Sequence, residues 1–334
     1  MAQSIRAALE ASSNDRRCFL TRETVYFSNN TSLYKTIRRA CAMQFADPRT
    51  DFAFKKIFGN EQAKEVLISF LNAVLALEGS RAIAEVTILN PYQAPRISTL
   101  KYSYLDVKCR DHRGVEFVVE MQVSYTEGFE KRIQYNACKA YVGQIPSGTD
   151  YPRLNQVIAI TIVDFTMFRD FEHYLSCHEF HETITNHCYL EDIRHYFIEL
   201  PKFKKSAADI ETAIEKWCFF LKNAVSLDAI PEKLNHDPFR KAFEIANRAN
   251  MTKEEWEAYD ATAVRLQDER GIAIAARKEG EQIGEQRGIQ LGEQQGRAQE
   301  RKQIILTLQQ KGFAKEQIAE MLGCAIDEVE KMLG

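Results

Sequence analysis

The stretch YLDVKCRDHRGVEFVVEMQVS, residues 104–124, decides the fold. Two apolar-rich runs flank Asp111-His112-Arg113-Gly114, a turn sequence with glycine where a left-handed backbone is needed. The reading is a hairpin with one strand over 100–110, a loop of His112, Arg113 and Gly114, and a second strand over 115–124. In that register Asp106 lies directly opposite Glu120, because both are equally far from Arg113. Side chains alternate along strands, so Glu120 and Gln122 share one face while Val119, Met121 and Val123 take the other. Directly opposed Cβ atoms sit about 4.5–5.5 Å apart, close enough for two ionised carboxylates to repel. A divalent cation between them removes that conflict, and Mg²⁺ suits an all-oxygen site because it keeps several waters. The plain alternative is a pair of exposed polar residues on a half-buried sheet. Against it, both sit inside apolar runs, where a lone charge is costly.

Upstream, Asp47-Pro48 is a good helix entry, with a carboxylate cap followed by a residue that has no amide hydrogen to lose. DFAFKKIF ends at Gly59, and Val66, Leu67, Phe70, Leu71, Val74 and Leu75 then recur at helical spacing up to Gly79. Residues 85–90 read as a strand stopped by Pro91. Downstream, a helix is expected over about 129–144, a fully buried strand over 156–164 (QVIAITIVD), and a strand pair over 174–182 and 193–200. The fold class is therefore α/β, a mixed central sheet flanked by helices, with a helical C-terminal extension.

Composition sets outer bounds. A chain of 334 residues with 45% hydrophobic and 27% charged content should fold as a globular protein. The net charge of −3 argues against a general nucleic-acid coat but leaves room for a local basic groove. No apolar run reaches the roughly 20 residues that span a bilayer, so no membrane role is expected. Eight cysteines without paired spacing suggest reduced thiols and a cytoplasmic location. Residues 1–42 carry no sustained apolar period and read as a disordered leader, or as a product of start-site choice if the biological start is Met43.

The motifs DPRTDFAFKKIFG, Asp106, Glu120-Met121-Gln122, KRIQYNACKAYVGQ and FIELPKF stand in this order, and together the chain resembles the Rpn family of recombination-promoting nucleases, or putative transposases. That family lies in the PD-(D/E)XK nuclease superfamily, and the resemblance spans roughly 44–250. It implies a restriction-endonuclease-like fold and Mg²⁺-dependent cleavage of DNA phosphodiesters, with Mn²⁺ as an alternative ion. By the motif, Asp106 and Glu120 would be the metal ligands, Gln122 would stand where lysine is usual, and Asp51 would be the acidic residue of the first helix. Glutamine can orient a water but carries no charge, so it cannot lower a pKa as lysine would. Lys108, on the same face as Asp106, could supply part of the missing charge. Arg132, Tyr135 and Lys139, at helical spacing, could meet the DNA backbone together with Lys108, or could simply form a solvated helix face. A nuclease fold kept for binding or oligomeric assembly, with weak or no catalysis, is the reading from a different class.

The domain plan places a nuclease-like core over 43–204, a helical extension over 205–269, a segment with glycine at every fourth position over 270–300, and a helix-turn-helix-like module over 301–334. Gly280, Gly284, Gly288, Gly292 and Gly296 each cost a helix about 1 kcal/mol relative to alanine. Compensation is expected from close helix–helix contact in a homo-oligomer, with a flexible linker as the plainer reading. The last module carries Asp327, Glu328 and Glu330 against Lys331, a poor phosphate surface, so it reads as a packing unit. His173, Cys177, His178, His181, His187 and Cys188 have the composition of a zinc site but not its spacing.

Overall fold

The computed structural model describes residues 43–93, 103–145 and 150–333; the expected leader, 1–42, lies outside the described residues. The chain divides into two compact units, Met1–Glu269 and Arg270–Gly334.

In the first unit, Thr50 caps helix α1 (Asp51–Phe58) by accepting from the Ala53 amide. Helix α2 (Lys64–Leu75) and strand β1 (Val86–Leu89) follow. Strands β2 (Tyr92–Gln93) and β3 (Ser103–Tyr104) form a separate two-stranded ribbon. Then come β4 (Val107–Asp111), β5 (Glu116–Gln122), α3 (Phe129–Val142), β6 (Val157–Val163), β7 (Leu175–Phe180) and β8 (Leu190–Glu199). Helices α4 (Ala213–Asn223), α5 (Phe239–Ala246) and α6 (Lys253–Gln310) complete the order up to the second unit.

Six strands make one mixed sheet in the order β1-β4-β5-β6-β8-β7. The pairs β5/β6 and β6/β8 are parallel; β1/β4, β4/β5 and β7/β8 are antiparallel. All seven residues of β6 are buried, as its apolar run requires of a strand covered on both faces. On one face Phe117, Val119, Ile158, Ile160 and Ile198 join a large core with α1, α2, α4 and α5. The ring centroids of Phe58 and Phe70 lie 5.0 Å apart, and those of Phe58 and Trp217 5.7 Å apart, so α1, α2 and α4 meet through aromatic edges. The helices of the 205–269 segment thus pack into the same core as the sheet. On the other face α3 lays Ala137 and Ala140 over Val118, Val157 and Ala159.

The hairpin register is the expected one: Val107 pairs with Val119 and Lys108 with Val118. Asp111 accepts from the Arg113 and Val115 amides at 2.9 and 3.0 Å, and Gly114 has φ +91°. A side chain at Gly114 would also meet the end of the Asn155 side chain, Oδ1 at 2.6 Å, which can turn aside, so it is the backbone that selects glycine.

Of the single strand expected over 100–110, residues 100–102 lie outside the described residues and the rest is broken. Ser103 and Tyr104 pair with Gln93 and Tyr92, and β4 begins only at Val107. The reason lies at Asp106, whose carboxylate takes the Met121 amide at 2.8 Å in place of a backbone carbonyl. The strand expected over 193–200 starts earlier, at Leu190, because its first residues extend into an exposed hairpin arm where the apolar pattern fades.

In the second unit the glycines Gly280 to Gly296 fall within α6, followed by α7 (Lys315–Leu322) and α8 (Ile326–Leu333). Gly312 and Gly323 take positive φ between these helices. Ile305, Ile318, Ala319 and Val329 form a small core of their own.

Candidate active site

The site is assembled from α1, the β4–β5 hairpin, α3 and the first turns of α6. These elements surround a cleft of about 670 Å³ lined by Asp51, Asp106, Glu120, Gln122, Arg132 and Tyr135, with Arg49, Lys131, Asn136 and Arg265 among the rest.

Asp106 is the residue just before the first ladder pair of β4, so the register carries it to the position facing Glu120. Glu120 pairs with Thr161 and Gln122 with Val163 on β6, which places both on the face covered by α3. The chain then reverses into α3. Four residues of helix rise about 6 Å and two residues of strand about 6.8 Å, so an i, i+4 pair on α3 can meet an i, i+2 pair on β5. Asn136 Nδ2 donates to Glu120 Oε1 at 2.7 Å, and Arg132 Nη2 donates to Gln122 Oε1 at 2.7 Å.

The carboxylates are half-buried. Burial pushes the Asp106 carboxyl up to about 7, opposed by the Met121 amide and Lys55 and reinforced by the negative charges of Glu120 and Asp51. Glu120 is also raised by burial, against the pull of the Asn136 hydrogen bond and the Arg132 charge. Asp51 binds Lys55 Nζ at 2.6 Å, and the same ammonium lies 3.7 Å from Asp106.

The donor set fits a hard divalent cation. Asp106 spends one oxygen on the Met121 amide and Glu120 one on Asn136, which leaves lone pairs on each. Asn136 Oδ1 is buried in the same place without a protein partner. Among the described residues no three His, Cys, Asp or Glu side chains could hold a metal ion between them. A two-carboxylate seat is what Mg²⁺ uses, since it keeps waters and takes substrate oxygens for its remaining positions.

The other residues singled out from the sequence divide. Arg132 and Tyr135 line the cleft; Lys139 is not part of the lining, and its ammonium lies 5.6 Å over the Tyr135 ring. Lys108 does not supply the missing charge. Its Nζ sits 3.0 Å from Glu116, a carboxylate almost wholly buried that needs a counter-charge of its own. The cation beside Asp106 is Lys55, whose i, i+4 spacing from Asp51 was legible in DFAFKKIF. Gln122 is not free at either end, because its Nε2 donates to the Ser124 carbonyl at 3.0 Å while Arg132 holds its Oε1. The histidine- and cysteine-rich segment forms the β7–β8 edge, where His178 and His195 pair across strands.

Arg49 went unread in the sequence. Its guanidinium bridges Asp47, at 2.8 Å, and Asp164, at 3.1 Å, and so ties the entry to α1 to the end of β6. Asp164 in turn donates its amide to the Gln122 carbonyl at 3.0 Å. Asn136 and Arg265 also went unread; a buried asparagine four residues after an arginine was the only signal for the first.

Comparison with curated proteins and with solved structures gives no match. Among the described residues no helix is long and apolar enough to cross a membrane. Comparison with protein families matches residues 48–275, the sheet, its helices and every cleft residue named above, to the PD-(D/E)XK nuclease family transposases. The chain belongs to that family of PD-(D/E)XK nuclease family transposases.

Proposed function

We propose that this protein is a DNA endonuclease that uses Mg²⁺, with Mn²⁺ as the alternative ion, to hydrolyse phosphodiesters in recombination or mobile-element processing. The observation that carries the reading is the pair Asp106 and Glu120, two half-buried carboxylates with raised pKa values on one face of a hairpin beside a cationic helix. Bound between them, the metal would polarise a phosphoryl oxygen and favour the ionised form of the attacking water. Asp106 and Glu120 are the residues that would hold it. Asp51 keeps Lys55 beside Asp106, and Asn136 fixes the rotamer of Glu120. Hydrolysis adds one water across one P–O bond: the water oxygen bonds to phosphorus and keeps one hydrogen, and the other ends on the departing sugar oxygen. The decisive experiment is nicking of supercoiled plasmid with Mg²⁺, with Mn²⁺ and with EDTA. No cleavage of any DNA form with either ion would favour the scaffold reading instead.

Lys131, Arg265 and Tyr135 line the cleft, and the first two are the backbone contacts of this proposal. Each phosphate contact releases condensed counterions, so each contributes roughly 0.9 to the slope of log K against log salt on duplex DNA. Lys131→Ala and Arg265→Ala are each expected to lower that slope by about one and to weaken binding uniformly across sequences. Unchanged slopes in fluorescence anisotropy would remove these residues from the interface.

Self-association belongs to the same proposal. Within the second unit, Gly280, Gly284, Gly288, Gly292 and Gly296 have nothing within 4 Å of where a side chain would begin, and Ile283, Ile289 and Leu291 beside them are exposed. A second copy of the helix is the occupant that would cover them. Truncation before Gly271 is expected to lower the sedimenting mass to that of one chain; an unchanged oligomeric state would end the idea.

A further inference from the structure

The strand motif ends here in glutamine where the wider nuclease superfamily usually has lysine, and a neutral side chain at this position does not bring lysine's charge. We infer that Arg132 supplies this charge from helix α3 as a catalytic residue, and that Gln122 is the positioning residue that holds it. This rests on the nuclease reading above and names a residue and a role within the same site.

The geometry carries the inference in three steps. First, Gln122 is committed to holding rather than to binding water. Its Nε2 is anchored on the Ser124 carbonyl at 3.0 Å, which turns Oε1 toward the helix, and Oε1 receives Arg132 Nη2 at 2.7 Å. A lysine at this position has no acceptor and would repel the guanidinium, so glutamine on the strand and arginine on the helix form a matched pair. Second, Arg132 is not neutralised: among the described residues no carboxylate forms an ion pair with it, and the Phe129 ring, 5.1 Å from its Cζ, covers one side of its plane. Its positive charge acts on Glu120. Third, Arg132 Nε is buried and has no hydrogen-bond acceptor. A guanidinium donor out of water without an acceptor is unfavourable, and it is rare unless an acceptor arrives with a ligand. The residue lines the cleft beside Glu120, so the acceptor that its guanidinium turns to meet is an oxygen of the scissile phosphate.

A phosphoryl oxygen gains negative charge as water attacks phosphorus. A guanidinium fixed beside it before the reaction stabilises that charge more than it stabilises the ground state. Removing a preorganised donor of this kind typically lowers kcat by about 10²–10³-fold.

The test is plasmid nicking at saturating Mg²⁺ by the full chain. Arg132→Ala is expected to lower kcat by about 10²–10³-fold with little change in KM, and Arg132→Lys to recover part of the loss. Guanidinium ion or ethylguanidine at millimolar concentration is expected to rescue Arg132→Ala and to leave Asp106→Ala inactive. A residue that only packed would show no such rescue. Gln122→Leu is expected to lower kcat less than Arg132→Ala, and the double variant to be no slower than Arg132→Ala alone, because the clamp has nothing left to hold. Arg132→Ala cleaving at the wild-type rate, or inactive and without rescue while Arg132→Lys is equally inactive, would overturn the role of Arg132. Strictly additive losses would overturn the role of Gln122. Both results require an active wild type, so they are separate from failure of the nuclease reading, in which the wild type itself cleaves nothing.

Discussion

Asp106→Ala and Glu120→Gln are each expected to abolish Mg²⁺-dependent cleavage, a loss of at least about 10³-fold, while leaving the fold intact. The two carboxylates are the cleft's candidate metal donors, and Mg²⁺ binds weakly to a site with one carboxylate when that site must also strip waters from the ion. The fold survives because neither side chain belongs to the large aromatic core on the opposite face of the sheet. Asp106→Asn separates holding a metal from holding the hairpin. The amide oxygen can still accept from Met121, so the contact that closes the strand break remains. The charge that burial, Glu120 and Asp51 all disfavour is gone. At pH 8 without metal, Asp106→Asn is therefore expected to melt higher than wild type, by about 3–6 °C for a gain on the order of 1–2 kcal/mol. Calorimetry of both proteins in EDTA checks this, and a lower Tm for the variant would mean that Asp106 is a stabilising anion rather than a ligand awaiting a cation. Adding Mg²⁺ should reverse the order, since the ion stabilises only the form that binds it.

The centre of the fold was legible because it is local. Gly114 sets the loop, the loop sets the register, and the register brings Asp106 to Glu120. The buried strand Val157–Val163 declared itself by its apolar run. What the sequence hid depends on contacts between distant segments. Alternation put Lys108 on the face of Asp106, as found, but nothing local announces that Glu116 is almost completely buried and claims that lysine. Helical spacing grouped Arg132, Tyr135 and Lys139 as one surface. The docking angle of α3 then decides that Arg132 and Tyr135 face the cleft while Lys139 falls outside its lining. Asn136 was invisible for the same reason, since its role exists only once Glu120 lies one strand away. Arg265 comes from a segment set apart as an extension, and its place at the cleft follows from Tyr259 and Leu266 burying the start of α6 against the first unit.

Cleavage should also be governed by a competition between protons and metal for the same carboxylates. In the folded protein Asp106 holds its proton up to about 7, and Glu120 is raised as well. The unfolded chain releases such protons near pH 4. A carboxyl raised on folding stabilises the apo protein fully below its unfolded value and loses that contribution as pH climbs through the folded one, so apo stability should fall between about pH 4 and 7. A metal held by the pair would reverse the sign, because it would bind only the ionised carboxylates and each ion bound would displace the protons still present. At sub-saturating Mg²⁺ the nicking rate should therefore rise about tenfold per pH unit below 7, more steeply where both carboxyls are protonated, and level off above it. Once Mg²⁺ exceeds the dissociation constant of the ionised pair, each further tenfold increase should move the midpoint acidward by about one unit when one proton is displaced and by about half a unit when two are. Asp106→Asn, measured by Mg²⁺-induced change in Tm rather than by activity, should lose both the metal response and most of the pH dependence of apo stability in this window. A midpoint that stays fixed while Mg²⁺ varies a hundredfold above that dissociation constant would show that the titrating group is not a metal ligand, and would move the assignment away from Asp106 and Glu120.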